Sequence, residues 1–194
     1  MESIKKHHHF ILNKPYGYLS QFINNQTKRK NKKLLGTLFD FPEGTMAIGR
    51  LDEDSEGLLF LTTDGKLSEI IRSKKVEKEY FAQLDGMITQ KDVDRLKKGV
   101  EIGINGKKYL TKPCKVFVLD PFPEFPERSK KVRDDRHGPT SWISITLTEG
   151  KFRQVRKMTA TVGFPTLRLV RVRIDKVELN TMEFGEVIEM DGLI

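Results

Sequence analysis

One cysteine in 194 residues, Cys114, excludes an internal disulfide framework and suits a reducing compartment, expected to be the cytoplasm. Long apolar runs are missing too. The N-terminal MESIKKHHHF is too polar for a signal peptide, and no stretch forms an apolar span or a basic helix with a Trp-rich face, so no membrane partner is expected. Neither the GxGxxG nor the GxxxxGK[ST] glycine signature occurs, which argues against a nucleotide cofactor. There is no Cys pair and no H-E-x-x-H spacing. His7, His8 and His9 run into a strand whose side chains alternate between faces, so they do not converge on one ion, and no metal site is expected.

Positive charge is what the chain has in excess. Lys and Arg number 35 against 27 Asp and Glu, a formal net charge of +8 and a sequence pI near 9.5. The excess is clustered in KRKNKK (28–33), RSKK (72–75), KFRQVRK (151–157) and RLVRVR (168–173). Such clusters draw in polyanions, through counterion release when the partner is nucleic acid. Hydrophobic residues make up 37% with 12 Phe, which supports a globular core, and the length suits one unit, or two lobes sharing a sheet, rather than two independent domains.

Apolar patterning gives strands at 8–13, 45–51, 57–63, 76–86, 109–119, 141–150 and 167–179, and helices at 34–40, 66–73, 89–102 and 151–163. Thr89 reads as an N-cap with Asp92 three residues on, and Gly163 as a C-cap. Residues 21–33 and the Pro-rich 120–139 read as exposed loops. Strands outnumber helices without a regular βαβ alternation, so the fold class is α+β, with a mostly antiparallel or mixed central sheet and flanking helices.

Beside the most apolar run, GRLDEDSEGLLFLTTDG (49–65) concentrates Asp52, Glu53, Asp54 and Glu56. A calcium loop starting at Asp52 would need a glutamate at its twelfth position, where Thr63 stands. A solvated acidic turn accounts for Glu53, Asp54 and Glu56, but not for Arg50 and Asp52 at the mouth of two buried segments. On the helix at 151–162, Arg153, Arg156 and Lys157 are spaced i, i+3, i+4 and share a cationic face, while Val155, Met158 and Val162 face the core. A carboxylate held ionised by an arginine is a nucleophile that needs no cofactor.

LNKPYGYLSQF, GRLDEDSEGLLFLTTDG, VEKEYFAQLDG and TEGKFRQVRKMTATVGFPTLRLVRVRI together resemble, in order, the motifs of the bacterial ribosomal pseudouridine synthases of type A, the type named for the small ribosomal subunit. Within that family the chain is most similar to branch E, named for the large ribosomal subunit, which modifies 23S rRNA. The resemblance implies that residues 1–194 form one catalytic domain, with two lobes sharing the sheet and a catalytic cleft between them; many members of the family carry an S4-type RNA-binding domain in front, and since the KPYG motif here begins within the first 20 residues, none is expected. It implies isomerisation of a uridine in ribosomal RNA, 23S or its precursor, to pseudouridine, by a monomer without cofactor. The competing reading is a catalytically silent RNA-binding or ribosome-assembly protein on the same fold.

Carried over by residue, the resemblance makes Asp52 of RLD the catalytic aspartate, Tyr80 of KEY the tyrosine that packs against the uracil, and Arg156 of QVR the partner of the aspartate. Arg50 would help displace the base, and Glu53, Asp54 and Glu56 would be turn residues. Attack on the sugar, attack on the base and abstraction of a sugar proton all remain open for Asp52. The RNA grip is expected from Lys14, Lys28, Arg29, Lys30, the 128–136 loop, and Lys151, Arg153 and Lys157. Phe81, Phe152 and Phe164 read as core residues rather than stacking aromatics.

Overall fold

In the computed structural model, which describes residues 7–23, 31–73, 76–133 and 135–193, the short polar segments expected as loops separate thirteen strands and three α-helices among the described residues. In chain order these are β1 (His9–Lys14), β2 (Tyr18–Leu19), β3 (Lys33–Leu34), β4 (Met46–Ala47), β5 (Glu56–Thr62), α1 (Gly65–Ser73), β6 (Lys78–Asp85), α2 (Gln90–Lys98), β7 (Glu101–Ile104), β8 (Lys107–Leu110), β9 (Lys115–Val118), β10 (Thr140–Leu147), α3 (Gln154–Thr161), β11 (Thr166–Ile174), β12 (Val177–Glu178) and β13 (Val187–Met190). Single 3-10 turns lie at Leu35–Thr37 and Asp135–His137. The class is α+β, as expected. No helix among the described residues is long and apolar enough to cross a membrane. The chain divides into two units, Met1–Val76 with Asp175–Ile194, and Glu77–Ile174.

In the first unit β1 lies between β13 and β5, antiparallel to both. The run EGLLFLT is buried at every position of β5, which explains why it reads as continuous rather than alternating apolar sequence. Phe10 and Leu12 of β1 stand opposite Leu61 and Leu59, and this face is closed by Leu35, Phe22, Leu38 and Phe41. Edge-to-face contacts join Phe10, Phe22 and Phe39 to Phe41 at 5.5, 5.3 and 5.0 Å.

In the second unit the order is β11-β6-β10-β9, antiparallel throughout, with β7 and β8 as a separate hairpin. Ala82, Leu84, Ile143, Ile145 and Leu169 on one face of this sheet pack against Val93 and Leu96 of α2 and Val155 and Met158 of α3. The opposite face carries Phe81 and Trp142, with Phe125 of the 120–139 loop in ring contact with both and Arg168 stacked 5.3 Å from the Phe125 centroid. That loop is exposed along most of its length, as expected, yet it is tied down at Phe125 and by Arg133, which pairs with Asp85 at 2.8 Å.

Several element bounds differ from the sequence reading for local reasons. Residues 34–40 form only one 3-10 turn, and only Met46–Ala47 of the 45–51 strand is paired. The 109–119 strand is two, β8 and β9, parted at Thr111–Cys114, where Pro113 cannot donate to a ladder. The 89–102 helix ends at Lys98, and Glu101 onward is β7. β13 has no signal in the sequence pattern, because VIEM is only four residues long and is broken by Glu189, and it finds its place only opposite β1. Thr89 does cap α2, accepting the Asp92 N–H at 3.3 Å. Gly163 sits one residue beyond the Val162 cap of α3, with Gly163 N–H to Ala160 O and Phe164 N–H to Thr159 O both at 3.0 Å, the pair of bonds that closes a helix on a left-handed residue.

Two helix-terminating glycines, Gly99 (φ +93) and Gly163 (φ +95), separate backbone strain from steric overlap. A Cβ at Gly163 meets nothing within 4 Å, whereas one at Gly99 would lie 2.2 Å from the Thr111 carbonyl oxygen. Gly163→Ala should therefore cost about 1 kcal/mol from its backbone angle alone, and Gly99→Ala clearly more. Urea midpoints of the two variants measure the order.

Candidate active site

The aspartate singled out in the sequence sits on a turn whose approach is clamped. Ser20, itself buried, holds both backbone groups of Leu51: the Leu51 N–H donates to Ser20 Oγ at 3.0 Å, and Ser20 Oγ donates to the Leu51 carbonyl at 2.8 Å. Asp52 follows, half-buried, its carbonyl accepting the Ser55 N–H at 3.0 Å to close the turn. The Gly17 N–H from the KPYG turn donates to the Glu53 carbonyl at 2.8 Å, so the first and second sequence motifs are stitched together by backbone. Glu53 pairs with the Lys32 ammonium at 2.6 Å.

Glu56 departs from the solvated-turn reading, because it opens β5 and has no exposed surface. Arg50 is exposed. Lys14, expected on the RNA-facing surface, is instead fully enclosed, its ammonium donating to the carbonyls of Tyr18 at 2.8 Å and Pro15 at 3.0 Å. It holds the KPYG turn from within.

Tyr80 lies in the second unit, half-buried at the middle of β6, where it faces Ile145 across β10 and Arg171 across β11. The Arg171 guanidinium is 6.0 Å from the ring centroid and is itself buried. Two residues before Tyr80, Lys78 occupies the same face; burial, and then the nearby Arg171 charge, push its ammonium below the ordinary lysine value. Tyr80 is thus set in a cationic stretch of sheet, a feature that its KEY motif does not reveal.

Arg156 is in the first turns of α3, half-buried, and its Nη1 donates to the Thr166 carbonyl at 3.2 Å, fastening the helix to the start of β11. The helix begins later than expected. Arg153 is its N-cap, in the left-handed region at φ 52 and ψ 37, so it does not share a helical face with Arg156 and Lys157. A non-glycine residue there costs roughly 1–3 kcal/mol and persists only where its surroundings impose it.

Those surroundings centre on Glu149. Its carboxylate accepts from the Tyr109 hydroxyl at 2.6 Å, the Lys112 N–H at 3.0 Å and Gln154 Nε2 at 2.6 Å, while Gln154 Oε1 accepts the Lys151 N–H at 2.9 Å. Burial alone would raise the Glu149 carboxyl, but the bonds from Tyr109, Lys112 and Gln154 outweigh it and hold the group below the ordinary glutamate range. Lys151 lies over the Tyr109 ring at 4.8 Å. Lys157 donates to the Gly103 carbonyl at 2.8 Å and sits 5.1 Å from the Phe152 centroid.

The cation runs of the sequence meet different fates. Arg168 and Arg171 are buried, and Arg173 pairs with Glu79 at 2.9 Å and Glu77 at 3.2 Å, so 168–173 is an internal feature rather than a polyanion-binding stripe. Lys28, Arg29, Lys30 and the Lys74–Lys75 pair lie outside the described residues. Sequence reasoning misses Ser20, Tyr109, Glu149 and Gln154. TEGKFRQ contains two of them, but only the folded hairpin β7–β8 brings Tyr109 to the turn. Cys114 is structural, its thiol donating to the Leu96 carbonyl at 3.3 Å and pushed up to about 11 by burial and the neighbouring Glu149 charge.

Residues 8–161 match the model of a family described as RNA pseudouridylate synthase. The chain is 42% identical over 180 residues to the ribosomal large subunit pseudouridine synthase E of Vibrio parahaemolyticus, spanning 91% of this chain and 71% of that protein. It is 42% identical over 176 residues to the protein of the same name from Xanthomonas axonopodis pv. citri, spanning 89% and 88%. A crystal structure of a pseudouridylate synthase superposes with a TM-score of 0.74 at 28% identity, over 96% of this chain and 71% of the other. Both relatives are named for the large ribosomal subunit, so the expected type A, named for the small one, gives way to the broader family description.

The Glu149 bonds set a pH signature. A carboxyl lowered in the folded state contributes stability that is fully present above its unfolded value near 4.5 and is lost as pH falls through the lower folded value. Glu149→Gln should therefore lower the thermal midpoint at pH 7, and the gap to wild type should close as both are taken below pH 4.5. Thermal melts of the two proteins across that range test it.

Proposed function

The chain belongs to the RNA pseudouridylate synthase family, and from that premise we propose that it converts a uridine of large-subunit ribosomal RNA, 23S or its precursor, to pseudouridine, with Asp52 as the reacting carboxylate. The reaction is balanced within the nucleotide. The N1–C1′ bond breaks, the uracil turns, a C5–C1′ bond forms, the C5 proton leaves, and N1 ends protonated. No electrons are gained or lost, so the site must supply only a carboxylate, a surface for the loosened base, and charge to stabilise the change.

The observation that carries the reading is the RLD turn. Leu51 is fixed at both backbone groups by Ser20, which leaves Asp52 half-exposed with its backbone defined on either side. Glu53 is paired with Lys32 and Glu56 is enclosed, which leaves Asp52 and Asp54 as the half-buried acids of the turn, and the RLD motif selects Asp52 between them. Tyr80 is proposed to face the uracil, and Arg156 to pair with Asp52, the roles that the motif resemblance gives them. The large-subunit names of the relatives support 23S rRNA as the substrate, and comparing pseudouridines in rRNA from cells with and without the gene tests that choice.

Asp52→Asn conserves shape but removes the reacting carboxylate, so tritium release from 5-tritiated uridine in 23S transcripts should fall by well over about tenfold, with RNA affinity and folding retained. Equal loss in Asp54→Asn with activity kept in Asp52→Asn would move the reacting group two places along.

Arg156→Ala should lower the single-turnover rate at saturating RNA by about 100-fold, because charge is lost from the reaction rather than from the grip on phosphate. Full recovery of rate at high RNA concentration would make Arg156 a phosphate contact only.

A further inference from the structure

The sequence pattern puts Phe152 in the core, yet it is 66% exposed. The turn that presents it is rigidly built. Glu149 ties the turn to Tyr109 and to the Lys112 backbone, Gln154 Oε1 accepts the Lys151 N–H, and Arg153, the residue after Phe152, is held left-handed. The aromatic ring is therefore displayed by a fixed backbone. Lys157, itself anchored on the Gly103 carbonyl, stands 5.1 Å from the ring centroid.

The chain that follows Glu149 is of one sign. Lys151, Arg153, Arg156 and Lys157 fall within seven residues, and no Asp or Glu occurs between Glu149 and Asp175. An exposed aromatic ring set among cations matches the chemistry of an unstacked nucleobase with its phosphates. The base stacks on the ring while the cations meet the backbone charge, and the preference is for single strands, whose bases are free to splay. A duplex hides its base faces and offers only shape and phosphate.

We propose that Phe152 is a stacking platform for an unpaired base of the RNA substrate, held in place by the Glu149 latch. This rests on the RNA reading under Proposed function and adds to it a contact with a base rather than with the phosphate backbone.

The test compares wild type, Phe152→Ala and Phe152→Trp for binding to a short single-stranded oligouridylate and to a short RNA duplex, each over a salt series. Phe152→Ala should weaken single-strand binding by about tenfold and duplex binding little. The slope of log affinity against log salt should stay as in wild type, since no phosphate contact is removed. Phe152→Trp should restore single-strand affinity, and the thermal midpoint of Phe152→Ala should match wild type because the ring is already in solvent.

Unchanged single-strand affinity would overturn the proposal, as would an equal loss on the duplex or a loss accompanied by a flatter salt slope. Tritium release by the wild type from unmodified 23S transcripts keeps the two claims apart. Its absence would sink the rRNA reading, and its presence beside an unaffected Phe152→Ala would sink the platform alone.

Discussion

Strand β6 is paired along its length with β10 on one side and β11 on the other, and this double antiparallel register decides where the chemistry of the second unit stands. With alternating faces, a slip of one residue would carry Tyr80 from the side of Ile145 and Arg171 to the side of Phe125 and Trp142. The core below prevents that slip. Ala82 and Leu84 lie on the face covered by α2 and α3, so displacing them would expose the apolar surface that holds both helices.

The excess of cations is handled in two ways. Those withdrawn from solvent are neutralised or covered: Arg173 lies between Glu77 and Glu79, Arg168 against Phe125, and Lys14 is enclosed among backbone carbonyls, while Arg133 of the long loop is paired in the same manner with Asp85. At the start of α3, Lys151 is exposed and lies over the Tyr109 ring, whereas Arg156 and Lys157 are half-buried and donate to the carbonyls of Thr166 and Gly103. A long cationic side chain that leaves water must find an anion, a ring or a carbonyl, whereas an exposed one such as Lys151 keeps its solvent and can also meet a polyanion.

Glu149 links these two worlds. It is an acid in a basic segment, yet its role is mechanical: three donors converge on it from strand β8, the chain just beyond that strand and the first residue of α3. Charge-assisted bonds of this kind are stronger than neutral ones. Together they offset the cost of holding Arg153 in a left-handed conformation.

The aspartate turn and most of the strands can be read from the sequence because both are local: apolar period, turn residues and motif order act over a few positions. The capping of α2 by Thr89 and the close of α3 near Gly163 are legible for the same reason. What becomes of each charge is not. The pairing of Arg173 depends on Glu79, 94 residues away, and the burial of Lys14 depends on the turn folding back over it. The sequence spacing of Arg153, Arg156 and Lys157 implies one helical face, but Glu149 and Tyr109, 40 residues apart, pull the chain into a turn at Arg153 and start the helix only after it. Only the tertiary structure decided that Phe152 stands in solvent, because exposure is set by distant groups that compete for the backbone, and no local pattern records them.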